Sequence, residues 1–264
     1  MIDKQSFIGD CAAIRKSSPL VHSITNYVAM EINANALLAI GASPLMSFCP
    51  EEMEEIVSIA SALVVNIGCL DRHEIEGMKI AAATAHRLGK PWVLDPVGAG
   101  ASKIRTQTCI DLIRESRPTV IRGNASEIMV LAGQDIISRG VDSNNSSSDA
   151  EAGARTLAKR TGAAVSVSGA VDYITDGQRE GRISNGSPLM GRITAMGCTA
   201  SALTGAFAAV DGDAFKAAWN AMAMMGVAGD KAAAACSGTG SMGVAFMDAL
   251  SNFDGEQAAG LIRE

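Results

Sequence analysis

The chain has 264 residues, of which 48% are hydrophobic, and a formal charge of −6, so it is long enough to bury a sizeable core. It has no block of like charges and no basic patch, which argues against a nucleic-acid partner. Its six cysteines, at 11, 49, 69, 109, 198 and 236, make no Cys-x-x-Cys pair, which argues against a disulfide framework or a zinc site and fits a reducing compartment. The opening stretch MIDKQSFIGDCAAIRKSS has acids and no apolar run, so no signal peptide is expected.

In chain order, Leu20–Thr25 reads as a short buried strand, and Asn26 is placed to cap the helix that follows. That helix, Val28–Ile40, has helical apolar spacing and stops at Gly41, a natural helix end. Pro44–Ser47 is a short strand. Pro50 opens an acidic helix, EEMEEIVSIAS, whose first-turn glutamates suit the helix dipole. Strands at Ala62–Ile67, Trp92–Asp95 and Thr119–Arg122 alternate with helices at Asp71–Leu88, Lys103–Glu115 and Ala125–Leu131. The polar, Ser/Asn-rich segment 133–148 reads as a surface loop, because the alternation resumes with a helix at Ala150–Arg160 and a strand at Ala164–Ser168. Two further strands, Asp172–Thr175 and Glu180–Ile183, flank the turn Asp176-Gly177 and suggest an antiparallel addition at a sheet edge.

Thr194 to Cys198 reads as a tight turn, and an Ala-rich helix enters near Cys198. The uncharged run from 193 to 210 approaches a membrane span in length. Its Ala, Thr, Ser and Gly gain little from lipid, so it reads as a helix buried in protein. After Val210 the chain is helical, with breaks near Asp211–Asp213 and Ser237–Gly240. Mostly continuous apolar strands joined by helices through short loops predict one α/β domain over 1–264, with a mostly parallel central sheet covered on both faces.

Ligands of a parallel sheet sit at the carboxyl ends of its strands. Asn26, Met46, Asn66, Gly68, Asp95, Arg122, Asn124, Glu127, Ser168, Gly169 and the turn before Cys198 fall there. Asp95 and Glu127 suit a hard divalent cation, directly or through water. Arg122 suits a phosphate in forked geometry, and the helix start at Cys198 has unpaired N–H groups for an anion. Together these suit phosphoryl transfer. Each also has an ordinary role: Asp95 as a turn residue before Pro96, Glu127 as a first-turn acid, Arg122 as a surface charge. His22 reads as a core residue, His73 and His86 as helix-surface residues, and none has a metal-ligand spacing. The methionines at 222, 224 and 225 read as packing. There is no Walker A pattern, and no G-x-G-x-x-G after the first strand.

Several stretches together, LVHSITNYVAMEINANALLAIGASPLM, LVVNIGCL, PWVLDPVGAGAS, VIRGNASEI and TAMGCTASALTGAF, resemble the hydroxyethylthiazole kinases of thiamine salvage. The resemblance runs from about residue 15 to beyond 240, and the combination is specific where no single motif is. It implies a cytoplasmic homotrimer of ribokinase-like fold with active sites between subunits. The implied reaction moves a phosphoryl group from ATP, with Mg²⁺, to the hydroxyl of 4-methyl-5-(2-hydroxyethyl)thiazole. By position, the resemblance implies that Met46, Asn26, Gly68 and Ala195 meet the substrate and that Arg122, Ser168 and Asn124 meet the nucleotide. It places Asp95 and Glu127 around magnesium, Asn124 and Glu127 forming the superfamily's Asn-x-x-Glu pattern, and Cys198 at the catalytic position. Ala195 stands where many relatives have Gly, and Ser168 where Thr is common. The wider superfamily has an Asp base where Cys198 stands, so Cys198 is expected to assist and orient the hydroxyl rather than to act alone. Two other readings remain at this level: a kinase for another small alcohol, such as a hydroxymethylpyrimidine or a pyridoxal-like vitamin, and a non-catalytic nucleotide or metabolite sensor.

Overall fold

The computed structural model describes residues 4–133 and 147–264. Most of the loop expected at 133–148 lies outside the described residues. The strands are β1 (Leu20–Ile24), β2 (Ser43–Leu45), β3 (Ala62–Asn66), β4 (Trp92–Asp95), β5 (Val120–Asn124), β6 (Ala164–Ser168), β7 (Asp172–Thr175) and β8 (Glu180–Ile183). They form one sheet in the order β2-β1-β3-β4-β5-β6-β7-β8. Pairing is parallel from β2 to β6 and antiparallel for β7 and β8. The parallel core and the antiparallel edge are both as the sequence predicts, and the fold is ribokinase-like.

Successive strand residues point to opposite faces, so each strand feeds two cores. Leu63, Val65, Trp92, Leu94, Ile121 and Val165 join one core. Its helices are α3 (Met53–Ile59), α4 (Arg72–Arg87), α5 (Lys103–Ser116), α6 (Ala125–Leu131) and α7 (Ser147–Thr161). Val21, Val64, Val93, Val120 and Ala164 join the other. This second face is covered by α1 (Lys4–Ser17), α2 (Met30–Ile40), α8 (Met196–Ala208), α9 (Ala214–Ala235), α10 (Thr239–Ser251) and α11 (Gly255–Leu261). Burial on both faces is why the strands read as unbroken apolar runs. Helix α8 lies on β1, β3 and β4, and α9 on β5 to β8. At Gly205 an added Cβ would sit 2.5 Å from Val64 Cγ2, so the small residues of α8 set how closely it approaches the sheet.

Some boundaries differ from the sequence reading. Asn26 does not cap α2. Its Oδ1 accepts from the Ala29 N–H at 3.1 Å, closing a turn before the helix begins at Met30. The Pro50 segment opens as a 3₁₀ turn, Pro50–Glu52, before α3. Helix α1, a second 3₁₀ turn at Pro188–Arg192 and the break between α10 and α11 escape the pattern. Gly41 closes α2 as expected, at φ 93°. Among the described residues, no helix is long and apolar enough to cross a membrane.

Candidate active site

The carboxyl ends of β1, β3, β4 and β5 meet the amino end of α8. Asn26 follows β1, Asn66 ends β3, Asp95 ends β4, and Asn124 ends β5. The sheet sets their depth: Asn66 is level with Asp95, and Asn124 with Ser168. Asp95 is fully buried. Its Oδ2 accepts from Asn66 Nδ2 at 2.7 Å and from the Ser201 hydroxyl at 2.8 Å, while its Oδ1 has no partner. Burial pushes the Asp95 carboxyl up to about 6, with the Arg122 guanidinium pulling it down and Glu127 pushing it further up. A buried carboxylate with one free oxygen beside a second acid is a fit for a divalent cation.

Glu127 is committed in a different way. Its Oε2 accepts from the Asn124 N–H at 2.8 Å, while Asn124 Oδ1 accepts from the Glu127 N–H at 2.9 Å, making a reciprocal cap on α6. Its Oε1 accepts from the Gly98 N–H at 2.9 Å, beyond β4. The ordinary reading, a first-turn acid, and the metal reading therefore apply to the same side chain. Both oxygens already hold an N–H, so Glu127 suits a cation's water shell better than direct ligation.

Cys198 sits in the first turn of α8. Its Sγ accepts from Asn26 Nδ2 at 3.3 Å and from Asn66 Nδ2 at 3.2 Å. Burial pushes the Cys198 thiol up, and Asp95 adds to this, against the pull of the two amides and Arg122. The helix start therefore does not by itself make a thiolate here. Asn66, which sequence reasoning placed at this edge without a role, is the hub. It also holds Gly68 N–H and Asn26 Nδ2 on its Oδ1, at 2.9 Å and 3.1 Å. Gly68 has to be Gly, since a Cβ there would lie 2.7 Å from Asn26 Nδ2 and 2.8 Å from Asn66 Oδ1.

The amino end of α8 has no side-chain cap, and Ala195 before it is held at φ 66°. That left-handed backbone costs a non-glycine residue roughly 1–2 kcal/mol and gives a conformational reason for a Gly at this position. The Arg122 guanidinium lies under the first turn, because a Cβ on Gly197 would be 2.8 Å from its Nη1. Arg122 is buried, with its Nε unpartnered, and is not the surface charge of the ordinary reading. It lines a cavity of about 390 Å³ together with Ser168, Gly169, Asp172, Gly197 and Met225. Met222 also borders this cavity, while all three methionines are buried in the core, as read. Asp172, which opens β7 and was not singled out in the sequence, accepts from the Gly169 N–H at 3.0 Å. Burial pushes its carboxyl up to about 6.

The structure thus brings Asn26, Gly68, Asp95, Arg122 and Cys198 together, with Glu127, Asn124 and Ser168 alongside on the neighbouring strand ends. Met46 lies just past edge strand β2 on the same rim, and Ala195 stands at the α8 entrance. His22 is buried, its Nε2 2.9 Å from the Ser47 carbonyl, as a core residue.

Comparison with known proteins gives this arrangement a family. The model of the hydroxyethylthiazole kinase family matches residues 11–256. The hydroxyethylthiazole kinase of Brachyspira hyodysenteriae is 52% identical over 251 residues, covering 95% of each chain. That of Rhizobium etli is 53% identical over 245 residues, covering 92% of this chain and 95% of its own. The structure of the Pyrococcus horikoshii hydroxyethylthiazole kinase protein superposes with a TM-score of 0.88 at 40% identity, over 95% of this chain and 94% of that one. A Staphylococcus aureus pyridoxal kinase in complex with AMP-PCP and pyridoxal has a TM-score of 0.61 at 18% identity, over 80% of this chain and 88% of its own, a likeness of fold alone. The chain belongs to the hydroxyethylthiazole kinase family.

Proposed function

We propose that this chain phosphorylates the hydroxyl of 4-methyl-5-(2-hydroxyethyl)thiazole, using ATP, in thiamine biosynthesis. The observation that carries the reading is the convergence of Asp95, Cys198 and Arg122 at the start of α8, in a chain of this family. The γ-phosphoryl group would sit at the α8 amino end beside Arg122, where N–H groups and a guanidinium offset the charge that spreads over its oxygens. Ser168 and Asn124 flank the nucleotide side. Asn26, Gly68, Ala195 and Met46 form the thiazole side. Asp95, through its free Oδ1, and Glu127 are the residues that would hold Mg²⁺, which neutralises phosphate charge when bound.

The thiol of Cys198, held by two amides, orients the attacking hydroxyl. Asp95 lies behind it, its Oδ2 held by Asn66 and Ser201 and its Oδ1 free toward the cation. In a loose transition state, positioning and charge neutralisation matter more than the strength of the base.

The six cysteines are free, which supports a reducing, cytoplasmic setting. The proposal includes a homotrimer with the site at the subunit boundary. Tyr27 and Val28, directly after Asn26, are 59% and 63% exposed. Leu38 on α2 is 59% exposed and Val244, on α10 packed against α2, is 66% exposed. Large apolar side chains beside a site invite cover by a neighbouring copy. ADP release should be measured with ATP and Mg²⁺ against hydroxyethylthiazole, hydroxymethylpyrimidine and pyridoxal. Turnover on the thiazole well above the others is expected. Preferential turnover on another alcohol would overturn the substrate, and ATP binding without turnover on any would favour a sensor.

A further inference from the structure

A second group of ligand-type side chains lies outside the phosphoryl-transfer site. Cys49, Glu51 and His73 offer a sulfur, a carboxylate oxygen and a ring nitrogen that all lie within 4.8 Å of one another. Sequence spacing hides this, because Cys49 caps the Pro50 turn and Glu51 lies in it while His73 belongs to α4. We propose that Cys49, Glu51 and His73 form a binding site for a borderline divalent transition-metal ion of the Zn²⁺ class, separate from the acids Asp95 and Glu127.

The donor chemistry selects the ion. Thiolate and imidazole prefer Zn²⁺ and its neighbours, whereas Mg²⁺ prefers oxygen ligands throughout. Three protein ligands leave a fourth position for water, and pairwise separations below 4.8 Å fit metal–ligand bonds of about 2.0–2.3 Å around one centre.

The second argument is that the backbone is already set. His73 and Gly77 are one turn apart on the same face of α4. At Gly77 an added Cβ would lie 2.4 Å from the Phe48 carbonyl oxygen, so the missing side chain is what seats the loop on this face. The Tyr27 ring meets the Phe48 ring edge-on at 6.2 Å, and the Tyr27 hydroxyl donates to Glu74 at 2.7 Å. Cys49, next to Phe48, is therefore held beside His73 before any ion arrives. Its thiol donates to Glu51 Oε2 at 2.9 Å. On binding, the ion replaces that proton, the sulfur's electron pair goes to the metal, and the proton passes to solvent. The result is a clamp joining α4 to the loop that carries Met46, three residues before Cys49.

The test titrates the purified, chelator-stripped full-length protein with Co²⁺ as a spectroscopic stand-in for Zn²⁺. The expected result is one equivalent per chain, with a thiolate-to-cobalt charge-transfer band that Zn²⁺ bleaches and excess Mg²⁺ does not. Cys49→Ser should abolish the band. Outer-shell partners alone are worth about 10–100-fold in metal affinity, so Glu51→Gln and His73→Ala should each weaken binding by at least about tenfold. Asp95→Asn should leave the titration unchanged. Circular dichroism of the variants separates lost binding from lost folding, since these side chains lie at the surface. A band that survives Cys49→Ser, a titration lost with Asp95→Asn, or no uptake by the folded parent protein would each overturn the site.

Discussion

At the scale of single residues, burial makes Asp95 costly to ionise. Its carboxyl keeps its proton up to about 6 in the folded chain, against an ordinary value of 3.8. Between those values the folded chain binds the extra proton, so ionising Asp95 costs stability. The contribution is full below about pH 4 and is lost as the pH rises to about 6. A shift of that size corresponds to about 3 kcal/mol, or a melting shift on the order of 5–10 °C. Without added metal, the melting temperature of the native chain should fall relative to that of Asp95→Asn across this window. Parallel curves in a calorimetric pH series would remove Asp95 as the cause. The thiol beside it leads to a kinetic prediction. Because burial keeps Cys198 protonated, Cys198→Ala should retain measurable turnover, losing less than about 10²-fold in kcat, whereas Asp95→Ala should lose far more. Equal losses under saturating ATP would show that the thiol is the base. Asp95, Arg122 and Cys198 were legible as chemistry because each was read at a strand end or a helix start, although β5 runs on to Asn124 and places Arg122 inside it. Asn66 and Ser201 were not, since an amide and a hydroxyl acquire a role only from the partners that the sheet and α8 bring within 3 Å of them.

At the scale of elements, the sequence was most legible where an apolar run or a turn pair gives sharp punctuation. The bounds of β4, β6, β7, β8 and α6 match the reading of the chain. The parts it missed follow local rules that carry little apolar signal. Helix α1 buries only Phe7 and Ile14, so its stripe is thin. The 3₁₀ turns are a few residues long, too short for any period. The Asn26 cap failed because three residues of turn intervene before α2, and the amide serves that turn and the site instead. One element contact has a direct test. Gly77→Ala must push the Phe48 carbonyl off α4, at about 1–3 kcal/mol of strain. The loop bearing Met46 should shift with it, so the thiazole KM should rise while the KM for ATP stays near its native value. A similar rise in both would mean that the loop has no special tie to the substrate side.

At the scale of the whole molecule, the proposed trimer is tested at the exposed apolar side chains 27, 28, 38 and 244. Light scattering should give a trimer for the native chain. Val28→Glu should dissociate it and lower turnover together, and a monomeric native chain with full activity would end that reading. The proposed assembly rests on resemblance rather than on pattern, because an apolar composition suits a large interface and a well-packed monomer equally. The sheet's two coverings have a further consequence, concerning time. On one face α4, α5 and α6 directly follow β3, β4 and β5 and join the same core. On the other, Val93, Val120 and Ala164 wait for α8 and α9, which come from the last third of the chain. A ribosome making this protein therefore extrudes β3 to β6 packed on one face while the other face of these strands stays bare of α8 and α9. A holding chaperone has its binding surface on that bare side until the final helices emerge.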